Sequence, residues 1–105
     1  MSNEKTNSWI FLAVGIATAE SSSKLREIVL IADGINHAVP TQKELQIAFK
    51  WLSKQHLVLK ERSKYRVTET GLYLFEKAKA KSNLILQQWK YIEEHFLNLS
   101  NKNNV

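Results

Sequence analysis

Two stretches in the first third of the chain have the hydrophobic spacing of helices. Residues 8–19 are apolar on almost every side, which predicts a first helix that is buried on more than one side. Residues 24–36 carry apolar side chains along one face, and this amphipathic stripe predicts a second helix. The stripe consists of Leu25, Ile28, Val29, Ala32 and Ile35. Residues 2–8 are polar, and we expect them to be frayed.

A third helix is predicted over residues 41–55, because two signals mark its start. Pro40 disfavours helical backbone at the residue before it, which separates this helix from the second. Thr41 and Glu44 have the spacing of a capping box, in which each side chain accepts a hydrogen bond from the backbone N–H of the other. The core face comprises Leu45, Ala48, Phe49 and Leu52, and the outward side comprises Gln42, Lys43, Gln46, Lys50, Ser53 and Lys54.

After residue 56 the hydrophobic period changes from that of a helix to that of a strand. Residues 57–68 are therefore predicted to form a β-hairpin with a tight turn near residues 61–64. One face is expected to be apolar and to carry Leu57, Leu59, Tyr65 and Val67. The other face is expected to be almost entirely cationic, and its members are Val58, Lys60, Arg62, Lys64, Arg66 and Thr68.

The last element is predicted to be a long C-terminal helix over residues 69–99, capped by Thr68 and with a kink near Ser82. Apolar residues repeat along it at alternating steps of four and three, the seam spacing of a coiled coil. The seam comprises Ile85, Trp89, Ile92, Phe96 and Leu99. It predicts a homodimer interface, and the alternative is that the same face packs on the first helix of its own chain. Both can hold together.

The composition fits one small domain and excludes several chemistries. A chain of 105 residues without cysteine has neither disulfides nor thiolate metal sites. The three histidines, His37, His56 and His95, lack the spacing of metal ligands. No glycine-rich phosphate loop is present. We therefore expect a mainly α domain with a small β-hairpin (α+β class), without enzymatic activity, metal or cofactor.

Two further possibilities concern ligands and location. Trp9, Trp51 and Trp89 could line a pocket for a small-molecule effector, although a place in the core is the simpler interpretation. Residues 9–19 are apolar and end in Ala17-Thr18-Ala19, as the cleavage site of a signal peptide does, but the preceding segment SNEKTNS has no excess of positive charge. We therefore expect a buried helix, no membrane association and a cytoplasmic protein.

The positive charge is concentrated in one part of the chain. Between Lys43 and Lys81 there are ten Lys or Arg residues and four acidic residues, so this segment carries a charge of +6. The rest of the chain has five basic and six acidic residues and carries −1. A localised cationic surface is typical of proteins that contact phosphates.

The segments PTQKELQIAFKWLSKQHLV and YRVTETGLYLF resemble the winged-helix regulators of the MarR/PadR type. The second segment matches the signature Y-x-[LV]-T-x-x-G, which leaves the wing and starts the next helix in that family. The resemblance covers residues 24–75, about half of the chain. It implies a winged helix-turn-helix with a long C-terminal helix, which binds specific double-stranded DNA sequences and regulates transcription as a homodimer. Two departures are His56, where the family usually has glycine, and a short wing without a glycine-rich tip.

This resemblance implies a DNA-binding face on the third helix and the hairpin. In a helix-turn-helix the N-terminal residues of the second helix of the motif lie nearest the base edges in the major groove. Glutamine side chains can pair with adenine there and lysine with guanine. The residues assigned to DNA binding are Thr41, Gln42, Lys43, Gln46, Lys50 and Lys54 on the helix and Arg62, Lys64 and Arg66 on the wing. The alternatives are a solvated surface without a ligand, a winged-helix adaptor that binds another protein, and an RNA-binding or single-strand-binding role.

Overall fold

A computed structural model describes the backbone of residues 1–103 and the side chains of residues 1–101. Within this part of the chain there are five helices and one three-stranded sheet, which confirms a mainly α fold with a small antiparallel sheet. The elements in order are α1 (Asn3–Ala17), β1 (Ser23–Lys24), α2 (Leu25–Asn36), α3 (Gln42–Lys54), β2 (Val58–Glu61), β3 (Lys64–Val67), α4 (Glu69–Lys81) and α5 (Ile85–Asn103).

Helix α1 lies in the centre of the molecule and packs against α2, α3 and α5. Residues 9–14 are almost completely buried, so the prediction of burial on more than one side is confirmed. The expectation that residues 2–8 are frayed is wrong, because Ser2 caps the helix and its hydroxyl accepts a hydrogen bond from Lys5 N at 3.1 Å. Ser8 is also buried, where its hydroxyl accepts a hydrogen bond from the indole of Trp89 at 2.9 Å. Such long-range partners are not visible in a polar stretch of sequence.

The sheet includes a strand that the sequence pattern does not predict. Strand β1 has only two residues, and it pairs antiparallel with β3, so that Ser23 lies opposite Tyr65. The strand order is β1-β3-β2, which places β3 in the middle and β2 at an edge. Two residues are too few to show the alternation by which strands are recognised.

The predicted single helix over residues 69–99 is divided into two. Ser82 is extended, with φ −163° and ψ 150°, and ends α4. Its hydroxyl accepts a hydrogen bond from Leu84 N at 3.0 Å, and its carbonyl accepts one from the side-chain amide of Gln88 at 2.8 Å. The expected kink is therefore a complete break, after which α5 folds back against α1.

Helix α5 covers α1 with the face that was predicted to form a dimer seam. Trp89, Ile92 and Phe96 lie in the core of the chain itself, and the ring of Phe96 lies 5.7 Å from that of Phe11. These three residues are not available to a second copy, so the prediction that they form a dimer interface is wrong. Leu99 is half-buried against the same core, and Ile85 is 37% exposed. Because α1 is apolar on almost every side, it needs this cover from its own chain.

The three tryptophans are packing residues in this structure. The rings of Trp9 and Trp89 lie 6.2 Å apart in the core, and the indole of Trp9 donates a hydrogen bond to Ala32 O at 2.8 Å. Trp51 is half-buried, with its ring 4.7 Å from that of Phe96. They fill the space between helices, as the simpler interpretation of the sequence expected.

Candidate nucleic-acid interface

Helix α3 presents the polar side that the sequence predicts. The capping box is confirmed: Thr41 N donates to Glu44 Oε1 at 2.9 Å, and Glu44 N donates to Thr41 Oγ1 at 3.1 Å. The only carboxylate of α3 is therefore held at the start of the helix. The exposed side chains of the helix are Gln42, Lys43, Gln46, Ile47, Lys50, Ser53 and Lys54. Among these, Ile47 is 41% exposed and was not assigned to the site from the sequence.

The connection from α3 to the hairpin depends on a left-handed residue. His56 has φ 59°, and Leu57 N donates to Leu52 O while His56 N donates to Ser53 O, both at 3.0 Å. This pair of hydrogen bonds is a Schellman motif, whose left-handed position is usually glycine. His56 adopts the left-handed conformation that glycine usually has in this motif despite its Cβ atom, so the turn forms without a glycine.

The base of the hairpin is tied to α4 by Thr68 and Gly71. Thr68 N donates to Leu57 O at 3.0 Å, and the Thr68 hydroxyl donates to His56 O at 2.5 Å. The same hydroxyl accepts a hydrogen bond from Gly71 N at 3.0 Å. A Cβ atom on Gly71 would lie only 2.1 Å from Leu57 O. The T-x-x-G spacing therefore has a structural reason. Thr68 and Gly71 hold the start of α4 against His56 and Leu57, the residues that lead from α3 into the hairpin.

An aromatic pair joins the hairpin to α3. The rings of Phe49 on α3 and Tyr65 on β3 lie 4.4 Å apart. Lys60 on the neighbouring strand places its Nζ 5.6 Å from the centre of the Tyr65 ring. Lys60 therefore belongs to the surface that α3 and the hairpin form together, although sequence analysis did not assign it to the site.

The phase of β2 was predicted incorrectly, so Lys60 was expected on the face opposite Tyr65, whereas the two residues pair in the register. Val58 pairs with Val67 and is 2% exposed, whereas Leu59 pairs with Arg66 on the opposite face of the hairpin. Leu57 is buried but precedes the strand, so counting the alternation from it shifts β2 by one residue. The prediction that one face is apolar and the other almost entirely cationic is therefore wrong for β2 and holds for β3.

The basic residues of the hairpin do not all share the surface of α3. Arg66 forms an ion pair with Glu61, with Arg66 Nη2 2.9 Å from Glu61 Oε1. These two side chains line a concavity together with the loop over residues 18–22 rather than with α3. Lys64 pairs with Glu61 in the register and lies on the same outward face. Arg62 stands at the tip with φ 59°, the left-handed region that favours glycine.

The segment of charge +6 is likewise divided between two surfaces. Its last three lysines, Lys77, Lys79 and Lys81, lie on α4, which packs mainly on α5 and not on α3. The structure thus places Gln42, Lys43, Gln46, Lys50 and Lys54 on the exposed side of α3, and it links Lys60 to that helix through Tyr65 and Phe49. Arg62, at the hairpin tip, lines a concavity with Ser22, Glu61 and Lys64 and not with α3. The residues of α3 are separated from Arg66 and from the lysines of α4.

The part of the chain that the structure describes shows no cluster of three metal-ligating side chains. Within the same residues, no helix is long and apolar enough to cross a membrane. No family model, curated protein or solved structure matches the chain. A functional assignment therefore rests on the geometry of the exposed surfaces.

Proposed function

We propose that the chain is a winged-helix protein that binds double-stranded DNA through α3 and regulates transcription in the cytoplasm without enzymatic activity. The order helix, strand, two helices and hairpin supports the winged-helix assignment, and so does the sheet order β1-β3-β2. The observation that carries the functional proposal is the outward side of α3. It presents amides and ammonium groups, while its one carboxylate, Glu44, is engaged in the capping box.

The first two turns of α3 would enter the major groove. Gln42, Lys43 and Gln46 are exposed at the N-terminal end, where side chains can reach base edges. Ile47 lies beside them, and an apolar side chain at this position suits the methyl group of thymine. Thr41 would contribute through the helix N-terminus, because its side chain already caps the helix.

The flanking cations would contact phosphates. Lys50 and Lys54 lie further along the exposed side of α3, Lys60 lies on the hairpin, and Arg62 and Lys64 stand near the hairpin tip. An arginine in left-handed backbone costs about 1 kcal/mol, which glycine would avoid, so its presence at the tip is consistent with a role for the side chain. Arg66 contributes less in this proposal, since Glu61 already pairs with it.

The test measures binding to a labelled random-sequence duplex at low salt, with fluorescence anisotropy as the readout. With about six phosphate contacts, the logarithm of the association constant falls against the logarithm of salt concentration with a slope near −5. Reversing Lys43 and Arg62 together to Glu should abolish measurable binding at moderate salt. The matched control is Lys79→Glu/Lys81→Glu, which reverses the same number of charges at two exposed lysines of α4, away from the proposed face. Equal binding by the variant of Lys43 and Arg62 and by the control would show that the face is assigned wrongly.

The proposed homodimer would use the outer side of α5 in place of the buried seam. Leu86, Lys90, Glu93 and Leu97 form a stripe at steps of four, three and four, and the two leucines are 59% and 39% exposed. Each end of the stripe is a leucine, and the two central positions carry opposite charges. Two antiparallel copies would therefore match Leu86 with Leu97 and Lys90 with Glu93, twice by symmetry. The dimer would set two reading helices one duplex turn apart.

A protein-interaction adaptor is the second candidate function. It is favoured by the exposed apolar side chains where α4 meets α5, above all Leu84 and Leu86 at 66% and 59% exposure. Light scattering separates the two possibilities, because a stable homodimer that binds duplex DNA supports the regulator. A monomer that does not bind duplex DNA supports the adaptor.

A further inference from the structure

The face formed by α4 and α5 carries two lysines beside two tyrosines. Tyr73, Lys77 and Lys81 follow one another at steps of four along α4, and Tyr91 of α5 stands against them. Lys77 Nζ lies 4.8 Å from the centre of the Tyr73 ring, and Lys81 Nζ lies 5.8 Å from that of Tyr91. Cation–π contacts of this length hold an ammonium group in place while leaving it in contact with solvent. This surface is separate from the exposed side of α3.

Two concavities adjoin on this face, with Tyr91 as their common wall. The first has a volume of about 250 Å³ and is lined mostly by apolar surface. Its other lining residues are Leu57, Thr70, Tyr73, Leu74, Lys77 and His95. The second has a volume of about 280 Å³, and its other lining residues are Lys81, Ser82, Gln87, Lys90 and Glu94. Each concavity has the size of one or two large side chains.

The charge around the two concavities is positive. Lys77 lies at the first, Lys81 and Lys90 lie at the second, and Glu94 is the one acidic residue that lines either. A hydrogen bond with Tyr73, and then the charge interaction with the same group, raises the pKa of Lys77 above its ordinary 10.5. The ammonium group of Lys77 is therefore charged throughout the neutral pH range.

We propose that this face binds an acidic peptide segment of another protein, with one bulky apolar side chain in the concavity floored by Leu57 and Leu74. Carboxylates on either side of that side chain would pair with Lys77 and Lys81. This interaction is additional to DNA binding and does not depend on it. It fits charge complementarity together with an apolar floor, the combination by which grooves recognise amphipathic segments.

The same features disfavour a nucleic acid as the occupant. Single strands are held by bases stacked on open aromatic faces. Here the ammonium groups of Lys77 and Lys81 already lie over the rings of Tyr73 and Tyr91. A phosphodiester backbone also has no group that would fill an apolar concavity floored by Leu74. A peptide satisfies both the cations and the floor.

The test uses fluorescence anisotropy with a fluorescein-labelled acidic octapeptide that has a central Phe-Leu pair. The first comparison probe is an equally charged octapeptide with Ser-Gly in the centre, and the second is a labelled oligothymidylate of eight nucleotides. The double variant Lys77→Gln/Lys81→Gln removes two cations of the face. Lys79→Gln is the control for loss of a cation from the same helix, because Lys79 packs over Phe75 and lines neither concavity. Thermal melts establish that each variant is folded.

The proposal expects the Phe-Leu peptide to bind and the double variant to bind it about tenfold more weakly, with the control variant unchanged. The Ser-Gly peptide should bind about tenfold more weakly than the Phe-Leu peptide. The reversal of Lys43 and Arg62, which tests DNA binding, should leave peptide binding intact. Three results would overturn the proposal: no binding up to about 1 mM, equal binding of both peptides, or preferential binding of the oligothymidylate that the double variant removes.

Discussion

Replacing Gly71 by alanine tests the junction that positions the hairpin. In an exposed helix this substitution usually stabilises by about 1 kcal/mol, because glycine is a poor helix former. Here the new Cβ would lie 2.1 Å from Leu57 O and 3.3 Å from the Cβ of Val67. The first contact is with backbone, so it cannot be relieved by turning a side chain. The hairpin base or the start of α4 must move by about 1 Å to restore ordinary contact.

The expected cost follows from what that movement disturbs. Overpacking costs about 1–3 kcal/mol, and weakening the hydrogen bonds of Thr68 to Leu57 and His56 adds about 1 kcal/mol. After subtracting the gain in helix propensity, we expect Gly71→Ala to lower the free energy of unfolding by about 1–3 kcal/mol. For a domain of this size, that corresponds to a melting temperature lower by roughly 5–20 °C.

Urea denaturation followed by tryptophan fluorescence measures this change, and Gly34→Ala is the matched control. Gly34 lies in α2 with nothing within 4 Å of a built Cβ, so alanine there should raise the free energy of unfolding by about 0.5–1 kcal/mol. The two variants make the same chemical change in a helix and are expected to have opposite signs. Stabilisation by both would refute the close contact between Gly71 and Leu57.

Three further predictions concern single residues of the turn, the hairpin and α5. His56→Gly should raise the urea midpoint by an amount equivalent to about 1 kcal/mol, because glycine removes the strain of φ 59°, and a lower midpoint would contradict this. Lys60→Ala should make the salt slope of DNA binding shallower by about 1 while Arg66→Ala changes it less, and the reverse order would place the DNA on the outward face of the hairpin. Lys90→Glu and Glu93→Lys should each weaken the dimer in sedimentation, and the double exchange should restore it; failure of the double variant to recover would exclude the antiparallel pairing.

Local signals in the sequence were sufficient to predict α3. The capping box of Thr41 and Glu44 involves residues three apart, so its hydrogen bonds can be inferred without knowledge of the rest of the fold. The T-x-x-G spacing similarly marked the junction after the hairpin, because Thr68 caps the helix in which Gly71 lies. The residues on the exposed side of α3 were predicted from the spacing of its apolar residues, which follows the period of a helix.

Features that depend on distant partners could not be predicted in this way. The seam through Trp89 and Phe96 marks a buried face, but spacing does not show whether a second copy or α1 covers it. The phase of β2 depends on the left-handed turn at His56, which leaves Leu57 outside the strand. As a consequence, Lys60 was assigned to the wrong face and its place beside Tyr65 was missed.

We propose above all that the exposed side of α3, together with Lys60 and the tip of the hairpin, contacts duplex DNA. The most direct measurement is the change in backbone amide chemical shifts when a short duplex is titrated into the isotope-labelled protein. We expect the largest changes on residues 41–47 and on Lys50, Lys60 and Arg62. Changes confined to α4 and α5, with α3 unaffected, would contradict this proposal.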